Sequence, residues 1–170
     1  MNVLVTYWSQ TGNTRKIAQT IFDAINCNKE LKTFEDVESL DGFDLAFIGF
    51  PIMQFGPAKS AMTFIKSHAE GQNIALFVTH AMPTESKDPR QQTMLENELE
   101  KCRQICTHAK LLGMYHCQGE LSEPLAHELK DSEIPMLMEF AGMQPSTKGH
   151  PSREEVEMAK EFAKEMIMKI

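Results

Sequence analysis

The sequence lacks a long apolar run, an excess of positive charge and a leader-like N-terminus. No segment approaches the run of about 18 apolar residues that spans a bilayer. Seventeen lysines and arginines stand against 24 aspartates and glutamates, and the net charge of -7 argues against nucleic acid, whose phosphates require a basic surface. Met1 to Thr6 carries no basic flank. We expect a cytoplasmic protein that binds neither membrane nor nucleic acid.

The cysteines of the sequence do not indicate a disulfide framework. The four cysteines, Cys27, Cys102, Cys106 and Cys117, are expected to be reduced thiols in a cytoplasmic protein. Cys102 and Cys106 lie one helical turn apart, a spacing compatible with a metal pair or a redox dithiol. No His or Cys cluster accompanies them, so buried thiols on a helix face are favoured and no metal site is predicted.

Five short apolar segments alternate with helical patterns, an order typical of a parallel sheet covered by helices on both faces. With 170 residues, the chain is expected to form one α/β domain, residues 1-170. Pro51 is expected to end the third strand and Pro57 to open the following helix. The predicted strands are 3–8, 31–34, 45–50, 74–79 and 111–117, and the main helices are 13–25, 57–65, 89–109 and 152–170.

Residues 118-151 exceed what a minimal five-stranded domain needs and are interpreted as an insertion before the last helix. They contain two short helix candidates, at 124–130 and 135–140. Met136, Met138 and Met143 lie in or near the second, and flexible methionine surfaces can serve adaptable binding. Packing of the insertion against its own domain is the favoured alternative.

The turn between the first strand and the first helix has the composition of an anion site. A helix N-terminus offers unpaired N–H groups and partial positive charge. Hydroxyls and an amide add donors, and a glycine permits a tight turn. The turn lacks the lysine of a nucleoside-triphosphate loop and the three glycines of a dinucleotide loop. It reads Ser9-Gln10-Thr11-Gly12-Asn13-Thr14.

This string, directly after an apolar N-terminal strand, resembles the FMN phosphate loop of the flavodoxin family. The resemblance covers most of the chain, including the strand–helix alternation, a loop with Gly-x-Pro after the third strand, and the last helix. It implies a flavodoxin-like, doubly wound, five-stranded parallel sheet of order 2-1-3-4-5 with helices on both faces. FMN would bind at the carboxyl ends of the strands, beside the switch between the first and third.

The resemblance also implies which loops hold the cofactor. They follow the strands that border the crevice, and their predicted FMN-binding residues are Ser9, Gln10, Thr11, Gly12, Asn13, Thr14, Pro51, Ile52, Met53, Gln54, Phe55, Gly56, Thr79, His80 and Ala81. Flavodoxins usually sandwich the isoalloxazine ring between aromatic side chains of the second and third loops. Here the second loop offers Phe55 and Met53, whereas the third contains neither Tyr nor Trp.

Two loop residues have further predicted roles. His80 is interpreted either as a donor near the ring, where it would stabilise reduced flavin, or as a surface loop histidine. Gly56 tolerates two peptide orientations, so its peptide is a candidate for changing its hydrogen bonding with the redox state of the flavin. The redox potentials of a Gly56→Ala variant test this role, and an unchanged stability of the flavin semiquinone would count against it.

The favoured function is electron transfer through bound FMN to or from a partner oxidoreductase, with an acidic surface as one candidate contact for a basic partner. No catalytic triad, metal-ligand spacing or carboxylate pair is evident, so a stand-alone enzyme is less favoured. Two alternatives stay open: an NAD(P)H-dependent flavin or quinone reductase on the same fold, and a scaffold that acts through protein contacts without tight flavin binding. The oligomeric state is left open.

Overall fold

The computed structural model describes residues 1–170, and its elements follow the predicted alternation of strands and helices. The strands are β1 (Asn2–Tyr7), β2 (Asn28–Thr33), β3 (Leu45–Met53), β4 (Gly56–Pro57), β5 (Asn73–His80) and β6 (Lys110–Gln118). The helices are α1 (Asn13–Ala24), α2 (Lys59–His68), α3 (Pro89–Gln104), α4 (Glu123–Lys130), α5 (Pro135–Gly142), α6 (Gln144–Thr147) and α7 (Arg153–Ile167), with a 3-10 turn at Phe34–Asp36. None of the helices is long and apolar enough to cross a membrane.

Five parallel strands form the sheet in the order β2-β1-β3-β5-β6. This is the order 2-1-3-4-5 implied by the family resemblance, once the short β4 is set aside, so the fold prediction is confirmed. The chain reverses direction along the sheet between β1 and β3, and the carboxyl ends of these strands border the crevice of such a fold. β4 pairs antiparallel with the end of β3 and was not predicted.

Helices cover both faces of the sheet, because its central strands are apolar on both sides. On one face, α1 and α7 pack on the sheet through residues such as Ile17 and Ala159. On the other face, α2 and α3 pack on it through residues such as Phe64 and Leu99. α7 begins with the predicted capping box, in which Ser152 and Glu155 each accept from the other's backbone N–H.

Pro51 lies inside β3, and the prediction that it ends the strand is wrong. The Gly49 carbonyl accepts from the Trp8 N–H, so Gly49 and Pro51 both direct their peptide groups toward the β1 side. β1 ends at Tyr7, opposite Gly49, and leaves Pro51 with no strand partner on that side. The missing N–H therefore costs no ladder bond, and β3 still pairs Pro51 with Thr79 of β5.

Several helix boundaries also differ from the sequence predictions. α3 ends at Gln104 rather than near 109, and Cys106 follows it in a turn. Pro57 lies in β4 instead of opening α2, because the chain first turns back on β3. Cys102 and Cys106 are free and buried, and burial raises the pKa of the two thiols to about 12 and about 11, respectively.

We expect the Gly49→Ala substitution to lower the free energy of unfolding by about 2 kcal/mol, as overpacking does in a closely packed core. Gly49 pairs across the sheet with Phe77, and a Cβ at Gly49 would overlap the fully buried ring of Phe77. Chemical denaturation measures the change. Gly113→Ala is the matched control, since its Cβ would meet the flexible end of Met166 instead. An equal loss in both variants would contradict the overlap as the cause.

Candidate functional site

A cavity of about 490 Å³ lies at the carboxyl ends of β1, β3 and β5. This volume is in the range of about 300–1,000 Å³ that is usual for cofactor sites. Of the fifteen residues that the sequence predicts for the cofactor, all but two line the cavity; Gly12 and Gly56 are the exceptions. The thirteen are Ser9, Gln10, Thr11, Asn13, Thr14, Pro51, Ile52, Met53, Gln54, Phe55, Thr79, His80 and Ala81.

The turn that leads into α1 presents a row of free backbone donors. Gly12 is the N-cap residue with φ 96, a left-handed conformation that glycine adopts without steric cost. Its own N–H donates to Ser9 Oγ at 3.1 Å. The N–H groups of Asn13, Thr14 and Arg15, in the first turn of α1, have no acceptor within the protein. Gly12 thus shapes the turn from outside the cavity lining.

Side-chain hydrogen bonds hold this turn against its neighbours. Thr14 is buried, and its Oγ1 lies 2.8 Å from Thr79 Oγ1 at the end of β5. The Asn13 amide donates to Glu120 O at 2.9 Å and to Thr11 Oγ1 at 3.3 Å. The donors of that amide, predicted from the sequence to serve an anion, therefore bond within the protein. They tie the turn to the segment that follows β6.

A tight turn between β3 and β4 forms another wall of the cavity. Gln54 and Phe55 have φ 49 and 63, and neither is the glycine or asparagine that such a two-residue turn prefers. Met53 pairs with Gly56 across the turn, which places Gly56 at the start of β4. From α3, Lys101 Nζ donates to Phe55 O at 2.7 Å. A bond from another element therefore supports a backbone conformation that costs energy.

His80 is buried at the end of β5, with 5% of its surface exposed, so it is not a surface histidine. Its Nδ1 lies 2.9 Å from Met82 O, and a carbonyl can only accept, so Nδ1 carries the proton. Nε2 then accepts from His116 Nδ1 at 3.0 Å. Burial, together with the charge of His116, lowers the pKa of His80 to about 3. His80 is therefore a neutral residue whose two nitrogens are both occupied, and it has no N–H to offer a flavin.

The neutrality of His80 has a measurable consequence. We expect its imidazole NMR shifts to stay constant from pH 8 to pH 5, whereas an ordinary histidine titrates near 6.5. Because the unfolded chain takes up a proton below about pH 6.5 and the folded protein does not, His80 lowers stability as the pH falls through that value, by up to about 1.4 kcal/mol per pH unit. A titration midpoint for His80 above pH 5 would contradict the buried arrangement.

Residues that the sequence analysis did not assign to the site form another wall of the cavity. Ten of its 26 lining residues come from the segment 118–151, and this segment therefore covers the site as well as packing on its own domain. Leu125, Leu129, Leu137 and Phe140 supply the apolar part. Their spacing of four and three residues, on the two short helices, was the available signal of a common face. Met94 and Glu98 of α3 also line the cavity and carried no such signal.

Phe140 of α5 meets the turn between β3 and β4 directly. The rings of Phe55 and Phe140 lie edge to face, with centroids 6.2 Å apart, a favourable arrangement for an aromatic pair. The third loop supplies no aromatic residue at this site, as its sequence indicates. The cavity thus combines a polar end at Ser9–Thr14 with an apolar end where the two phenylalanines meet.

The family model described as the flavodoxin domain matches residues 4–164, and the chain therefore belongs to the flavodoxin family. A relative of similar length is the flavodoxin-like domain-containing protein BilS of Clostridioides difficile (strain CD3). The two sequences are 28% identical over 178 residues, which cover 99% of this chain and 98% of that protein.

Solved structures show the same fold at low sequence identity. A flavodoxin from the domain Archaea has a TM-score of 0.58 at 16% identity, covering 99% of this chain and 98% of its own. Oxidised flavodoxin 2 from Bacillus cereus has a TM-score of 0.53 at 18% identity, with full coverage of both chains. A flavoprotein from Lactobacillus acidophilus NCFM in complex with FMN has a TM-score of 0.52 at 17% identity, covering 68% of this chain and 92% of its own.

Proposed function

We propose that the protein binds FMN in the cavity at the carboxyl ends of β1, β3 and β5 and transfers electrons to or from a partner oxidoreductase in the cytoplasm. The observation that carries the proposal is the set of free N–H groups at Asn13, Thr14 and Arg15, placed after a left-handed Gly12. Backbone donors at a helix start suit a phosphate group. The hydroxyls of Ser9 and Thr11 line the same end of the cavity.

The other end of the cavity suits a flat aromatic ring. Leu125, Leu129 and Phe140 face it from α4 and α5, and Met53 and Phe55 face it from the turn at the end of β3. When bound, FMN supplies the redox chemistry, and the protein supplies binding, orientation and exclusion of water. His80 stays neutral and fully hydrogen-bonded, so it does not supply a proton there.

The partner contact is proposed at the segment 118–151. This segment holds six acidic and two basic residues, which is a net charge of -4 out of -7 for the whole chain. Ile134, Met136 and Met138 are about half exposed on the same segment. Exposed apolar side chains among acidic ones suit a partner that presents a basic rim around an apolar centre. Such a contact would lie beside the cavity that this segment covers.

The absorbance spectrum of the purified protein tests the cofactor. We expect a yellow protein whose released flavin is FMN, and a flavin-free protein that recovers its spectrum with FMN and binds riboflavin more weakly, because riboflavin has no phosphate. Equal affinity for the two would contradict a phosphate site at Ser9–Thr14. Absence of flavin binding would favour a scaffold that acts through protein contacts.

A separate assay tests whether the protein takes electrons directly from NAD(P)H. We expect the FMN-loaded protein to consume NAD(P)H only when a reductase is added, since a carrier depends on a partner. Steady consumption of NAD(P)H with a soluble acceptor and without that reductase would overturn the carrier and support a flavin or quinone reductase. The same assay with rising salt tests the acidic contact, because charge-steered association slows as ionic strength increases.

A further inference from the structure

The two edges of the sheet differ in charge. β2 forms one edge and carries Lys29, Glu30 and Lys32, and charged side chains on an edge strand discourage pairing with a further strand. β6 forms the other edge, and its only charged residue is Lys110, at its first position. The remaining residues of β6 are apolar or neutral, since burial lowers the pKa of His116. The edge at β6 therefore lacks the charges that protect the edge at β2.

Successive residues of β6 direct their peptide groups alternately toward β5 and away from it. The Gly119 N–H, directly after β6, donates to the end of β5 at 2.7 Å. Gln118 points the other way, and its N–H donates to Glu155 Oε1 at 2.9 Å. Met114 and His116 share the orientation of Gln118, because two and four residues separate them from it along a regular strand. Their outward N–H and C=O groups have no partner within the protein.

This free stretch of the edge is closed at both of its ends. At the amino end, Leu112 forms a bulge, and its carbonyl accepts from Lys169 Nζ at 3.1 Å. At the carboxyl end, the carboxylate of Glu155 occupies the edge. Leu112 and Met114 are only partly buried, so apolar surface accompanies the free backbone groups. The edge is thus open to another strand over a short, defined length.

Charges beside β6 follow a gradient along the strand. α3 runs from the carboxyl end of β5 to the amino end of β6, so Glu96 lies nearer the carboxyl ends of the strands and Arg103 nearer the amino ends. Both are exposed, and besides burial, which lowers the pKa of His116, Glu96 raises that pKa and Arg103 lowers it. Lys110 and Lys169 add positive charge at the amino end. A two-fold rotation would bring the acidic end of one such edge opposite the basic end of another.

We propose that β6 pairs antiparallel with β6 of a second copy of this chain, about a two-fold axis at Tyr115. Met114 then lies opposite His116 of the second copy, in a pair that exchanges both of its N–H···O bonds. Glu96 lies near Arg103 of the second copy, which favours this register over a shifted one. The carboxyl ends of the two sheets point in opposite directions, so each cavity stays open to its own partner. This inference does not depend on the proposed function.

Sedimentation equilibrium tests the pairing. We expect the mass to rise from that of one chain to that of two with increasing concentration, and a monomer at up to about 1 mM would overturn the proposal. Met114→Pro removes an outward N–H and keeps the ladder to β5 intact. Met114→Ala loses the same side chain and keeps the N–H, so it is the matched control. Met114→Pro should raise the dissociation constant of the dimer at least about 10-fold over that of Met114→Ala. Equal constants would overturn the backbone pairing.

Charge reversal gives an answer even if Met114→Pro does not fold. Glu96→Arg and Arg103→Glu each place like charges opposite one another, and each should weaken the dimer by about 5-fold or more. The double variant restores opposite charges across the two-fold axis and should associate as the wild type does. Glu30→Arg on β2 changes the net charge equally and should have no effect. A double variant as weak as the single ones, or a dimer insensitive to all of them, would overturn the proposed register and its second copy at this edge.

Discussion

Replacing Gly12 with alanine is expected to raise the dissociation constant for FMN by about 10- to 30-fold. Gly12 has φ 96, and the left-handed conformation costs other L-residues roughly 1–2 kcal/mol. A Cβ at Gly12 would meet no atom closer than 3.8 Å, so backbone strain is the operative effect. To relieve it, the turn must rotate the peptides that present the free N–H groups at Asn13 and Thr14. Fluorescence titration of the flavin-free variant with FMN measures the loss.

Gly42 provides the control for this prediction. It has φ 87, and a Cβ there would meet nothing within 4 Å, so Gly42→Ala carries the same backbone strain far from the cavity. Both variants should lose about 1–2 kcal/mol of unfolding free energy. Only Gly12→Ala should lose affinity for FMN. If Gly42→Ala weakened FMN binding equally, general loss of stability would explain the effect.

We expect the Glu155→Ala substitution to lower the free energy of unfolding by about 3 kcal/mol, because it removes a buried carboxylate that serves several donors. Glu155 Oε1 accepts from the Gln118 N–H at 2.9 Å. Its Oε2 lies 2.6 Å from both the Ser152 N–H and His150 Nδ1. Glu154 is the exposed neighbour in the first turn of α7, and Glu154→Ala is therefore the control. Urea denaturation of the two variants compares their free energies of unfolding.

Because of Glu155, we also expect the free energy of unfolding to depend on pH. Burial raises the pKa of Glu155, but the hydrogen bonds from Ser152, His150 and Gln118 outweigh it, and the net pKa lies below the ordinary 4.5. A carboxyl group whose pKa is lower in the folded protein stabilises the fold at pH values above the pKa that it has in the unfolded chain. That stabilisation is lost as the pH falls through the pKa of the folded protein. The wild type should therefore lose stability below about pH 4.5 more steeply than Glu155→Gln does. Parallel acid denaturation curves would contradict this role.

The structure of the turn Ser9–Thr14 was predictable from sequence because the features that shape it are local. A glycine, flanking hydroxyls and a helix start occupy consecutive positions, and the alternation of strands and helices places them at the carboxyl edge of the sheet. The fold could be predicted for the same reason. A strand that is buried on both faces, such as Leu45–Phe50, is recognisable because all of its residues are apolar or small. The prediction for Pro51 was wrong because a proline is compatible with β3 only where β1 has already ended. The residues around Pro51 do not indicate where β1 ends.

The apolar end of the cavity was much harder to predict. Phe140 and Phe55 are 85 positions apart and meet only because the segment between β6 and α7 returns over the crevice. Glu98 has the appearance of a surface residue in an amphipathic helix, and its burial arises from the turn that packs on α3. The state of His80 depends in turn on His116, a partner on another strand. Long-range contacts of this kind have no sequence periodicity to reveal them.

The two ends of the segment 118–151, which covers the cavity, both contact the carboxylate of Glu155. The cover is therefore a structural unit distinct from the sheet and helices that form the base of the cavity. No hydrogen bond or ion pair joins residues 123–143 to the chain outside the segment, and α4 and α5 pack on each other. The chain leaves the sheet at Gln118 and returns at His150 within reach of Glu155. Because Gln118 and His150 both contact Glu155, a short turn could connect the two ends of the segment and leave the base of the cavity in place.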